Sequence, residues 1–401
     1  MASAKKKKTS NIFFAKGGMD VTFFLLLMTI VTIGLVMLFS ASYTYSYYNR
    51  NGDSTYIFRR QLLFTLLGLA GMYAISRIRY EYFRLAAIVG VFVSVGLLLL
   101  VLVLPEYKPG FKRWINLGFT TFQPSEIAKI GLILILAYLL EKDYKSVTGK
   151  VPSDLVFRIS KGKITVYQSF TKVILYGLLI IVFAGLVYLE NHLSGTVLML
   201  GIGIIMMFLG EVRYKWFVVA GGVILVAVIF LVANPQVLEK YAGERITAWL
   251  DKDYDPTGAR WQTNNSLYAI GSGGFLGTGL GQSKQKHLYV SEPQNDFIFS
   301  IVCEELGFVG ASLIILLFAL LVYRGIHIGL RANDRFGALL AMGISFQIGI
   351  QVALNIAVVS DLIPNTGISL PFFSAGGTSI FILLCEMGML LSVSRSNKAK
   401  E

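Results

Sequence analysis

Apolar runs of about twenty residues recur along the whole chain, and this repetition limits what it can fold into. A helix rises about 1.5 Å per residue, so roughly 20 apolar residues cross a hydrocarbon layer of about 30 Å. Runs near 21–42, 61–77, 84–104, 123–140, 172–189, 193–210, 215–233, 297–323, 337–359 and 376–394 predict an all-α polytopic membrane protein of about ten transmembrane helices. With 55% of 401 residues hydrophobic, the chain carries more apolar surface than one soluble core hides.

Lysine and arginine set the orientation, because they favour the cytoplasmic loops. Lys5 to Lys8 place a basic N-terminus, residues 1–20, inside, and most of the remaining basic residues then fall in inner loops. This gives a transmembrane domain over 21–394, a tail at 395–401, both termini cytoplasmic and one large extracellular loop at about 234–296. The first apolar run is too long for a cleavable signal peptide and reads as an anchor. The net charge of +13 follows from this asymmetry and suits anionic lipid head groups. No basic patch interleaved with aromatics on a soluble domain suggests nucleic-acid binding. The basic, amphipathic segment 141–172 reads as lying on the inner leaflet or as contacting cytoplasmic partners. Cys303 and Cys385 both fall within spans and read as packing residues.

Chemistry concentrates at the outer loop. Gly271, Gly273, Gly274, Gly277, Gly279 and Gly281 permit tight turns, and "SEPQNDFIF" then leads into the eighth span. Asp296 at that boundary reads either as a helix N-cap or as a base. Glu304 and Glu305 lie inside the span, where ionisable groups face a cavity or a partner charge. On a helix Glu304 shares a face with Asp296 while Glu305 points about 100° away; one of the two glutamates reads as bracing a buried cation such as Lys129 or as lining a substrate path. Lys129 has Glu126 three residues before it, in reach of a local ion pair. "DKDYD" at 251–255 is compatible with a divalent cation, although a solvated acidic turn is the simpler reading. No cofactor is firmly implied, no histidine shows metal-ligand spacing, and no phosphate-binding loop marks an ATP-driven pump.

Three segments, "KRWINLGFTTFQPSEIAK" (112–129), "AIGSGGFLGTGLGQSKQKHLYVSEPQNDFIF" (269–299) and "LIPNTGISLPFFSAGGTSI" (362–380), resemble the signature segments of the FtsW/RodA (SEDS) family of bacterial cell-wall glycosyltransferases, as do "SAS" at 40–42 and "RRQ" at 59–61. The resemblance implies polymerisation of lipid II, an undecaprenyl-pyrophosphate-linked disaccharide-pentapeptide, at the outer face of the bacterial cytoplasmic membrane. It also implies a single-span class B penicillin-binding transpeptidase as partner, beside other division or elongation membrane proteins. The family's catalytic aspartate matches Asp296. Its basic residues match Arg60, Arg113 and Lys129, and its late motifs match Asn365 to Gly367 and Gly376–Gly377. The chain departs from the family at 190–196, "ENHLSGT" in place of an acidic "PDLGT", with Glu190 the nearest acid.

Glycosyl transfer from a pyrophosphate needs a base for the acceptor hydroxyl and positive charge for the departing phosphates. Asp296 with Arg60, Arg113 and Lys129 supplies both, and Glu304, Asn365, Gly376 and Gly377 complete the expected substrate surface. A lipid II flippase and a non-catalytic scaffold of the division or elongation machinery are the alternatives. The flippase is better served by charge spread through the membrane depth; the scaffold has no need of Asp296. The partner is expected along the eighth and ninth spans, at small residues such as Gly343.

Overall fold

A computed structural model describes residues 13–15, 17–106, 112–118, 120–148, 154–159, 162–222, 246–258 and 260–398. The helices are α1 (Val21–Asn49), α2 (Tyr56–Arg77), α3 (Phe83–Val103), α4 (Pro124–Lys142), the single turn α5 (Tyr144–Val147), α6 (Gln168–Leu189), α7 (Leu193–Leu209), α8 (Trp261–Gly273), α9 (Ile298–Leu330), α10 (Arg335–Val359) and α11 (Gly377–Lys398). Six of these are long and apolar enough to cross a membrane, while α2, α4 and α7 are shorter or more polar. The expected span at 215–233 runs into residues outside those described, so nine of the ten expected positions are helical here.

Local chemistry sets several boundaries. Asp20 caps α1 by accepting from the Phe23 amide at 2.9 Å, and Asp334 caps α10 by accepting from the Gly337 amide at 2.8 Å. Pro124 opens α4, where its missing N–H costs no helical bond. Helix α1 runs seven residues past its expected end at 42, since its backbone bonds itself beyond the apolar run and Ser42, Thr44 and Ser46 still face protein.

Helix α11 packs along α2, α9 along α10 and α3 along α4. Helix α11 is central, with 72% of its apolar window buried, whereas α3 at 22% is peripheral and turns Leu85, Phe92 and Val103 toward lipid. One end of the bundle is tied by Arg84, which bonds Glu141 of α4 and Asp334 of α10, both at 2.7 Å. Cys303 and Cys385 are both free thiols.

Within the segment 141–172, strands β3 (Asp154–Ile159) and β4 (Gly162–Tyr167) pair as an antiparallel hairpin. One expectation changes. Gly343 does not face lipid: a side chain there would meet Met206 of α7 and Ile133 of α4, so it is an internal packing position and no partner contact.

Helix α9 contains a break at Gly307, φ 66° and ψ −169°. Inside a bilayer such a break leaves amides and carbonyls without water. The glycine-rich loop supplies their partners: the Phe308 amide donates to Gly274 O at 3.0 Å, while Thr278 and Gly279 amides donate to Glu304 O and Glu305 O at 2.9 and 3.0 Å. A β-carbon at Gly277 or Gly307 would overlap the other strand's backbone, which is why the loop is written in glycine.

Candidate active site

The C-terminal ends of α1 and α10 meet the N-terminal ends of α2, α4, α7, α9 and α11 at one end of the bundle. Between them lies a cavity of about 580 Å³. Asp296, Arg60, Arg113, Lys129, Asn365, Gly376 and Gly377 all line it, although they span over three hundred residues of sequence. Arg113 and Trp114 reach it from the segment entering a small hairpin, β1 (Ile115–Asn116) with β2 (Thr121–Phe122).

Each cation is held differently. Arg60 Nη2 donates to Thr120 Oγ1 at 2.8 Å and pairs with no acid among the described residues. Lys129 is 3% exposed on the cavity floor, bonded to Glu126 Oε1 at 3.0 Å and to Gln351 Oε1 at 3.2 Å. An ammonium has three hydrogens, so one remains for a ligand oxygen. Asp296 is not the N-cap of α9: that residue is Phe297, and no side chain caps it. Instead Asp296 Oδ2 lies beside Gly367, where a β-carbon would stand only 3.1 Å away.

Glu304 is the one expected site residue outside the cavity. A turn separates Asp296 from the start of α9 at Ile298, so helical phase does not carry from one to the other. Glu304 accepts from Ser283 Oγ at 2.5 Å and from the Lys284 amide at 2.8 Å. Glu305 pairs with Lys286 Nζ at 2.9 Å and accepts from Ser40 Oγ at 2.6 Å. The two glutamates therefore pin the glycine-rich loop and the "SAS" segment of α1; the cation braced is Lys286, by Glu305, not Lys129. Breaking a buried pair by removing one charge costs about 3–5 kcal/mol. Glu305→Gln is expected to lower the melting temperature in detergent and speed proteolysis at 275–290, with Lys286→Met in the same chain restoring much of the loss. A double variant no more stable than Glu305→Gln contradicts that coupling.

Glu190, in the turn joining α6 and α7, is fully buried, and both its carboxylate oxygens lack a hydrogen-bond partner among the described residues. Burial pushes its pKa up to about 8, with the Arg113 charge offsetting part of the rise. The folded value lies above the ordinary value of 4.5, so the neutral acid's contribution to stability is complete below about pH 4.5 and is lost as pH rises through about 8. Glu190→Gln is expected to melt with the parent near pH 4.5 but to be more stable at pH 9 by a few kcal/mol, on the order of 1.4 per pK unit. Parallel melting curves across that range exclude it.

Sequence reasoning weighed ionisable residues inside the spans and passed over the amides. Gln61 on α2 accepts from the Gly376 amide at 3.0 Å and donates to Ser374 O at 3.3 Å, fixing the loop before α11. Gln351 holds Lys129 from α10, and His192 lines the cavity with Gln123 at 3.3 Å. Their signal was polarity at apolar helical depth, which demands a partner whether or not the group is charged. Among the described residues no three His, Cys, Asp or Glu side chains gather as a metal set, and Asp251, Asp253 and Asp255 are exposed.

With this geometry in place, known proteins align over nearly the whole chain. The family model for FtsW, RodA and SpoVE, described as cell cycle protein, matches residues 20–399. Stage V sporulation protein E of Bacillus subtilis (strain 168) is 38% identical over 381 residues, covering 94% of this chain and 98% of that protein. The probable peptidoglycan glycosyltransferase FtsW of Trichlorobacter lovleyi is 36% identical, covering 94% of each. Among solved structures, a chain from a peptidoglycan synthase complex that coordinates polymerization and crosslinking superposes with a TM-score of 0.74 at 26% identity, covering 95% of this chain and 98% of that one. The rod shape determining protein RodA of Thermus thermophilus superposes with a TM-score of 0.66 at the same identity and coverage. The chain belongs to the FtsW/RodA/SpoVE family of cell cycle proteins.

Proposed function

We propose that this chain is a peptidoglycan glycosyltransferase that joins lipid II disaccharides into glycan strands in cell division or shape maintenance. The observation that carries the reading is a carboxylate at the start of α9, Asp296, sharing one cavity with Arg60, Arg113 and Lys129. Asp296 takes the proton of an acceptor sugar hydroxyl as that oxygen bonds to the donor's anomeric carbon. The bond from that carbon to the pyrophosphate breaks, and its electron pair leaves on the lipid pyrophosphate. Arginine forks and the remaining Lys129 hydrogen steady that charge in a site shielded from bulk water. Asn365, Gly376 and Gly377 form the wall against which the substrate lies.

Placing the cavity outside the cell requires the Lys5–Lys8 terminus and the tail to be cytoplasmic in a bacterial plasma membrane, as the basic loops favour. A crosslinking partner, a single-span class B penicillin-binding transpeptidase, fits the likeness to a synthase complex that couples polymerization with crosslinking. The charges gather at one end of the bundle. The deeper acid on α11, Glu386, is bonded to Gln347 at 2.9 Å, and the cavity's cations lie toward one end, whereas transport favours charge spread through the membrane depth.

The test is reconstitution in vesicles with fluorescent lipid II, reading glycan length on gels and lipid II transfer between leaflets in parallel. Polymer without transfer is the expected result. Transfer without polymer reverses the assignment in favour of a flippase, and neither activity favours a scaffold.

A further inference from the structure

We infer that Asn355 is a positioning residue for Asp296, acting as a clamp between the two segments that meet at the base; this rests on the glycosyl-transfer reading. Asn355 lies near the C-terminal end of α10 and is 0% exposed. Its one amide nitrogen donates both hydrogens, to Asp296 O at 2.8 Å and to Ile368 O at 2.7 Å. Ile368 directly follows Gly367, where an added β-carbon would stand 3.1 Å from Asp296 Oδ2. A single side chain thus ties the backbone of the base to the backbone of the residue that walls it.

Other bonds join the same two segments, and only Asn355 bonds the carbonyl of the base itself. Three successive carbonyls are held from outside: Gln294 O by the Ala375 amide at 2.8 Å, Asn295 O by Ser374 Oγ at 2.8 Å, and Asp296 O by Asn355. The first two partners belong to the loop that carries Gly367, which Gln61 of α2 and Gln351 of α10 also hold. Asn355 stands on α10, a helix of 25 residues, and holds both segments to that frame.

The chemistry is specific to an amide. Two carbonyl oxygens converging on one point repel unless hydrogens stand between them, and an –NH₂ group supplies two from one atom. Aspartate has the same shape and no such hydrogens when ionised. Alanine leaves both carbonyls buried and unsatisfied. Glutamine keeps both hydrogens one methylene further out, which moves the clamp without abolishing it. The loss of geometry appears in the rate, since a displacement of about 1 Å costs roughly 10²-fold in a positioned reaction.

The experiment uses the full chain purified into lipid vesicles, with Asn355→Ala, Asn355→Asp and Asn355→Gln beside Asp296→Asn. Polymerisation rates are normalised to folded protein by thermal melting, and hydrogen exchange is read at 294–298 and 365–376. The expected result is kcat down about 10²-fold with KM little changed, and faster exchange in both segments together. Asn355→Gln retains the fold where alanine does not, and still loses kcat. The clamp is overturned if every Asn355 variant keeps the parent kcat per folded molecule while Asp296→Asn is inactive. If Asp296→Asn itself polymerises at the parent rate, the glycosyl-transfer reading fails and the clamp falls with it.

Discussion

Asp296→Asn yields a chain that folds, enters the bilayer and keeps its partner, yet makes essentially no glycan. Asparagine matches the shape of aspartate and removes the charge, and losing a general base typically costs about 10²–10⁴-fold in rate. Folding is expected to survive because Asp296 does not cap α9: that role falls to Phe297, without a side-chain bond. The backbone carbonyl of residue 296, which Asn355 holds at 2.8 Å, is also unchanged by the substitution. Substrate affinity should change little, because in the proposed mechanism the pyrophosphate would be met by Arg60, Arg113 and Lys129, which line the cavity from other elements. The measurement is single-turnover polymerisation of labelled lipid II by the reconstituted protein with its transpeptidase, alongside binding of the same substrate. A variant that binds and polymerises like the parent removes Asp296 from catalysis.

Removing Lys129 should act on binding as well as rate, since in the proposed mechanism its ammonium would touch the pyrophosphate before and after the bond breaks. Its burial is tolerable only because Glu126 and Gln351 hold two of its hydrogens. The carboxylate lowers the cost of the buried charge; the amide adds a partner without adding charge. Lys129→Met therefore leaves Glu126 unpaired on the cavity floor and destabilises the fold as well. The cleaner test of the clamp on phosphate is Arg60→Gln, because Arg60 is bonded to Thr120 and pairs with no acid among the described residues.

Much of the fold was legible because hydrophobic length is a local signal: nine helices stand where apolar runs predicted them, shifted by at most about seven residues at an end. The cavity's charged lining was legible for a different reason. Arg60, Lys129 and Asp296 sit near the starts of α2, α4 and α9, and Arg113 in the connection between α3 and α4; alternating span direction brings these four to one side of the bundle. Glu304 was misplaced because eight residues on an unbroken helix return to the same face, while the real chain turns between 292 and 297 and starts its helix only at Ile298. What hid the role of the two glutamates was the break at Gly307. A run of apolar letters does not announce that its helix is interrupted, nor that a loop thirty residues earlier in sequence fills the gap. Gly343 misled in the same way: a small residue marks close packing, but the neighbour it packs against is set by the tertiary arrangement, here α4 and α7.

Gly367→Ala is expected to be nearly as damaging as loss of the base, although it removes no functional group. Gly367 adopts φ +70°, a conformation that costs an L side chain about 1 kcal/mol or more. The added methyl would also stand 3.1 Å from Asp296 Oδ2, tighter than a carbon and an oxygen normally rest. The carboxylate is the movable partner, since Asn355 fixes the backbone on both sides, so the strain is relieved by swinging Asp296 away from the acceptor. Displacing a reacting group by about 1 Å costs roughly 10²-fold in rate, whereas stability should fall by only about 1–2 kcal/mol. Gly177→Ala, at a site with nothing within 4 Å, is the control that changes neither quantity. If the methyl acts only through Asp296, then Gly367→Ala placed on Asp296→Asn adds no further loss of rate, because two changes to one unit are not additive. A double variant slower than Asp296→Asn by the full single-site factor shows instead that Gly367 serves the substrate directly, and that the wall of the cavity, not the aim of the base, is what the glycine provides.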